Sequence, residues 1–166
     1  MKTKLMSIRW SFAVGVCLVS LFAVFTNENA HGQETGQGKF ITEATARLAK
    51  HVDTANKNGY NLTANDFSIG GGWLKQSTTK WIPMFSMQLN AGKRYRFIAA
   101  GDTDAKDVDL EVLDSNNNVV ASDTLTNPEA IVDFSPSNNG RYTVRIRLYA
   151  SDRNLDCMCV AVVMVK

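Results

Sequence analysis

Histidine, cysteine and proline are all scarce in this chain: 2 His, 3 Cys and 3 Pro among 166 residues. One histidine, His31, stands at the edge of an N-terminal segment, leaving His51 alone in the remainder. A single imidazole builds no conventional histidine metal cluster and serves no Ser or Cys nucleophile through a second histidine. No G-x-S-x-G turn and no H-E-x-x-H pair occurs. These absences point away from an enzyme. Cys17 lies in the N-terminal apolar run, so only Cys157 and Cys159 belong to the remainder. Two residues apart on a strand, their Cα atoms would be about 6.6–6.8 Å apart, the far limit for a disulfide. Buried thiols beside Val160 and Val162 are the expectation.

Net charge is a further absence. Lys2, Lys4 and Arg9 precede an apolar run from Trp10 to Phe25, and the polar Thr26, Asn27, Glu28 and Asn29 follow it. This is the layout of a secretory signal rather than of a membrane span, which needs about 20 apolar residues. Ala30 and Gly32 set the expected cut before Gln33. With residues 1–32 removed, 15 basic and 15 acidic residues remain. A neutral chain gives no reason to expect nucleic acid or an anionic membrane as partner. The expected location is secreted or periplasmic, with no stable membrane insertion after cleavage.

What is present divides into a leader at 33–38, an amphipathic helix at 39–59 and a β-rich remainder at 60–166. Phe40, Ala44, Leu48, Val52 and Ala55 form one apolar stripe opposite Glu43, Arg47, Lys50, Asp53 and Lys57, and Gly59 is a plausible left-handed stop. Beyond it, short alternating runs are separated by turn clusters such as Asp114–Asn118 and Ser135–Gly140. Gly70, Gly71 and Gly72 are expected to break the first run, and Pro83 to mark an edge or bulge. Tyr142, Val144, Ile146 and Leu148 alternate with Thr143, Arg145, Arg147 and Tyr149 in the clearest strand. The fold class is mainly β, an antiparallel sandwich preceded by one helix.

The chemistry concentrates in Gly101–Leu113. Period 2 puts Val108, Leu110 and Val112 on one face and Asp107, Asp109 and Glu111 on the other, with Asp102 and Asp104 just upstream. Calcium takes six to eight oxygens, so Asp102, Asp104, Asp107 and Asp109, with the more distant Asp123, are the candidate metal ligands. An EF-hand is excluded, because the twelve-residue frame from Asp102 has Asp107 at its sixth place and ends at Leu113. The competing expectation is a sheet face on which Asp109 and Glu111 meet Arg94, Arg96, Arg145 or Arg147. Trp73, Trp81 and Tyr149 are candidates for a sugar-stacking platform, and a two-carboxylate hydrolase is the remaining enzymatic alternative.

Four motifs in order carry a resemblance. They are Leu89-Asn90-Ala91-Gly92-Lys93-Arg94-Tyr95, Asp107-Val108-Asp109-Leu110, Val119-Val120-Ala121 after its Asn-rich turn, and Gly140-Arg141-Tyr142-Thr143-Val144-Arg145-Ile146. Across roughly Trp81 to Val165 the chain resembles the bacterial pre-peptidase C-terminal domain. It departs from that pattern in having Val108 where Leu is usual and in carrying no protease sequence ahead of the motifs. The resemblance implies a jelly-roll-like sandwich, a non-catalytic role beside exported proteins, and calcium or a matrix polymer as ligand. The expected function is an exported, non-catalytic binding or interaction module, calcium its candidate cofactor, and an extracellular or periplasmic protein or polysaccharide its partner. A secreted carbohydrate-binding module is the alternative.

Overall fold

Helix α1 (Gln37–Lys57) buries Ala44, Leu48 and Ala55, three of the five residues of the apolar stripe, and ends just before Gly59, which takes φ 86°. That left-handed turn is open to glycine at little steric cost. In the computed structural model, which describes residues 36–64 and 66–166, eight strands follow. They are β1 (Ser68–Leu74), β2 (Ile82–Leu89), β3 (Tyr95–Gly101), β4 (Ala105–Leu113), β5 (Val119–Asp123), β6 (Glu129–Phe134), β7 (Gly140–Ser151) and β8 (Cys157–Val165). The expected signal segment lies outside the described residues; Gln37 and Gly38, expected in the leader, belong to the helix.

The strands form two four-stranded antiparallel sheets with orders β1-β8-β3-β6 and β2-β7-β4-β5. Each successive strand from β1 to β4 crosses to the opposite sheet, and the chain then returns in reverse order. This nesting is the jelly-roll order. Inward-facing side chains, among them Leu89, Phe97, Leu110, Ile146 and Leu148, fill the space between the sheets. Cys157 and Cys159 are free thiols in this core. Burial is the main cause that raises both, Cys157 well above and Cys159 up to about 12, so both are held as neutral apolar groups.

The outer faces of the two sheets differ. The first is covered by α1, which packs Ala44, Leu48 and Ala55 onto Ile98, Ala100, Val160, Val162 and Met164. This is why β8, and β3 from Phe97 onward, are apolar on both faces instead of alternating, as strands covered on both sides are. The second sheet has no helix over it among the described residues and turns the outer side chains of β7 toward water.

The glycine run departs from the sequence expectation, because β1 continues through it. A Cβ on Gly70 would lie 2.8 Å from the Met84 carbonyl oxygen, and one on Gly71 would lie 2.7 Å from that of Cys159. These glycines let two backbones approach a strand that side chains would hold away. Pro83 behaves as expected: β2 is an edge strand whose register shifts between Pro83 and Phe85.

Candidate functional site

The five aspartates expected to gather around a cation are distributed over different tasks. Asp102, fully buried in the turn after β3, accepts from the Asp104 N–H through Oδ1 at 3.0 Å and from the Met158 N–H through Oδ2 at 2.7 Å. Its own N–H donates to the Met158 carbonyl at 2.9 Å. Arg47 on α1 donates through Nη1 to the carbonyls of Gly101 and Asp102, at 2.7 and 2.8 Å. Glu43, one turn earlier, accepts from the Thr103 hydroxyl at 2.6 Å, a bond that lowers the pKa of its carboxyl. The acidic turn is thus a junction fastening the helix and β8 to the sandwich. Sequence reasoning missed Arg47 and Glu43; their place one turn apart on the polar side of α1 was the available signal.

Asp104 lies at the same junction, its carbonyl accepting from the Asp152 N–H at 2.8 Å. Asp123 spans the turn between sheets, accepting from the N–H groups of Leu125 at 3.1 Å and Ile131 at 2.8 Å. Asp107 departs from the alternation. The pairing of β4 with β7 is irregular on both sides of it, and its side chain is buried without the cross-strand arginine that Asp109, likewise buried, and Glu111 each meet. Its Oδ1 has no hydrogen-bond partner among the described residues. Burial, followed by the charges of Asp109 and Asp123, raises its pKa, against the opposing pull of Arg147. Among the described residues, no three His, Cys, Asp or Glu side chains form a group that could hold a metal ion. Asp107, Asp109 and Asp123 remain electrostatic neighbours, while Asp102 and Asp104 belong to the separate junction.

Asp109 and Glu111 meet two of the four arginines considered from sequence. Asp109 stands opposite Arg147, and Glu111 opposite Arg145, across the β4–β7 ladder. Arg147 Nε lies 2.8 Å and its Nη2 2.6 Å from Asp109 Oδ2. Arg145 Nε lies 2.7 Å from Glu111 Oε2. Arg96 is in the other sheet and Arg94 immediately precedes its strand β3; there Asp133 accepts from Arg96 Nε at 2.6 Å and Nη2 at 2.7 Å. That bidentate contact holds the Asp133 carboxyl below its ordinary pKa.

A second set of side chains assembles on the same open face. Trp81, immediately before β2, has the Arg147 guanidinium 4.5 Å and that of Arg145 5.1 Å from its ring centre. Arg147 also lies 4.9 Å from the Tyr149 ring, and its Nη1 donates to the Thr78 carbonyl in the loop after β1. One ion-paired arginine therefore stands between two aromatic rings. Trp81 is half-buried and Tyr149 is 41% exposed. Trp73 is not part of this group: it is on β1 in the other sheet, its ring edge-on to Phe40 at 5.4 Å.

Neither a family model nor a curated protein sequence matches the chain. Among solved structures, it is similar to the SPBc2 prophage-derived protein YomS, at 10% identity and a TM-score of 0.35, over 64% of this chain and all of that one. No helix of the described residues is long and apolar enough to cross a membrane.

Proposed function

We propose that this chain is an exported, non-catalytic binding module whose ligand face is the open side of the β2-β7-β4-β5 sheet. The observation that carries the reading is the group of Trp81, Arg147 and Tyr149, held in place by Asp109 and the Thr78 carbonyl. Ordering rings and long side chains costs entropy at binding, and here that ordering is already present in the fold. The signal-like N-terminus supports export, and the resemblance to pre-peptidase C-terminal domains supports a role in binding. The uses found for the carboxylates speak against a two-carboxylate hydrolase: Asp102 and Asp123 satisfy backbone N–H groups, while Asp109 and Glu111 neutralise arginines.

Co-sedimentation with bacterial envelope and matrix material tests this reading. The wild-type domain is expected in the pellet, and Trp81→Ala with Tyr149→Ala, verified as folded by its melt, in the supernatant. Equal sedimentation of the two proteins, or no sedimentation of either, overturns it.

A second reading, calcium as a stabilising ligand, is favoured by one specific observation. Asp107 keeps a bare Oδ1 beside the charges of Asp109 and Asp123, and a hard cation is matched to carboxylate oxygen. On this reading Asp107 is the primary ligand, and Asp102 and Asp123 do not take part through free oxygens, since both oxygens of each already serve backbone N–H groups.

A further inference from the structure

The side chains on the open sheet constrain the chemistry of what binds there. Along β7, Thr143, Arg145, Arg147 and Tyr149 follow one another at every second position on the outer face. At about 3.3 Å per residue this row extends about 20 Å, longer than any monosaccharide. Trp81 overlies the middle of the row and Tyr149 closes one end. Toward the other end the hydroxyls of Ser86 and Thr143 lie 2.8 Å apart across the β2–β7 pairing.

Charge decides between classes of extended ligand. Arg147 is paired with Asp109 and Arg145 with Glu111, so the middle of the strip is neutral, while Arg141, the next outward residue of β7, lies beyond the Thr143 end. A polyanion gains from unpaired cations, and the strip offers none in its centre. An apolar peptide segment would have to strip water from the partly exposed Arg145–Glu111 pair and offer it no hydrogen bond in return. A neutral carbohydrate meets neither obstacle. Its C–H faces pack on aromatic rings, and its hydroxyls both donate and accept, matching guanidinium, carboxylate and hydroxyl groups in alternation. The Trp81 indole N–H and the Tyr149 hydroxyl carry no hydrogen bond to other described residues, so the rings also offer polar atoms at their rims.

We propose that the strip formed by Trp81, Tyr149, Arg145, Glu111 and the Ser86–Thr143 hydroxyl pair is a binding site for a neutral polysaccharide, read as several successive sugar rings. The inference rests on the open sheet being the ligand face and adds the class of ligand. Native affinity electrophoresis tests it, with soluble β-glucan, galactomannan and arabinogalactan as neutral probes, and polygalacturonate and dextran sulfate as anionic ones. At least one neutral polymer retards the wild-type domain. Tyr149→Ala, whose side chain is largely outside the core, weakens that retardation about tenfold; Trp81→Ala abolishes it and Trp81→Phe restores part of it. Retardation by the anionic polymers alone, by no neutral polymer, or to the same extent in Tyr149→Ala overturns the proposal. The two claims fail separately. Envelope binding that depends on Trp81 and Tyr149, with no retardation in neutral gels, removes the ligand class and leaves the ligand face; envelope binding indifferent to both residues removes the face itself.

Discussion

Asp107 and Asp109 are two residues apart on β4 and meet opposite surroundings. Asp109 has a guanidinium directly across the ladder; Asp107 falls at the register irregularity, and its Oδ1 is sealed in without a donor. A carboxylate closed off from water is costly, and a raised pKa is the expression of that cost. The folded protein therefore holds the Asp107 proton more tightly than the unfolded chain does. Its unfavourable contribution is absent below the ordinary aspartate pKa of about 3.9, and grows as pH rises through the folded value. Asp107→Asn is expected to raise stability at pH 7 by about 1 kcal/mol, measured by urea unfolding, with the gain shrinking toward pH 3. Asp133, shifted the opposite way by Arg96, is common to both proteins and cancels in the comparison. On the calcium reading, millimolar calcium raises the wild-type melt and leaves that of Asp107→Asn unchanged; melts of both proteins indifferent to calcium and to chelator contradict it. Alternation in the sequence placed Asp109 and Glu111 on the outer face. The burial of Asp107 was not legible, because the irregularity arises from the pairing with β7, and local sequence does not show which residue of a strand goes unmatched.

Individual elements show the same division between local pattern and tertiary partner. The apolar stripe of α1, its end at Gly59, the edge position of Pro83 and the outward row on β7 all follow from periodicity and turn chemistry. The glycine run does not: three consecutive glycines mark a chain break in most local readings, whereas here they belong to a strand squeezed between neighbours. Their roles differ by position. Gly71 has a backbone carbonyl 2.7 Å from where its Cβ would be, and Gly72 has nothing within 4 Å. Gly71→Ala is therefore expected to cost about 1–3 kcal/mol through displaced backbone. Gly72→Ala is expected to be neutral or to stabilise by about 0.5 kcal/mol through the unfolded chain. Equal denaturant midpoints for the two variants would contradict the close-packing account of β1.

At the scale of the whole molecule, the jelly-roll order leaves each sheet with one outer face, and the chain treats the two differently. Helix α1 covers the first and is fastened at the β3–β4 turn by Arg47 and Glu43, the use to which the acidic turn is put. Ile41, Phe67 and Ile69 stay exposed along the seam between α1 and β1, an apolar strip on the side away from the ion-paired face. The second sheet carries the strip of Trp81, Arg145, Arg147 and Tyr149. The sequence named two of these aromatics but grouped them with Trp73, because membership of one sheet or the other depends on the strand order, which periodicity does not encode. The central claim is that ligand is bound on this second sheet. Its most direct test is amide shift mapping of the ¹⁵N-labelled domain, titrated with pooled neutral oligosaccharides from β-glucan, galactomannan and arabinogalactan. The account predicts saturable shifts confined to Trp81, Ser86, Glu111 and the outward residues of β7. Shifts centred on Ile41 and Ile69, or none at millimolar ligand, would contradict it.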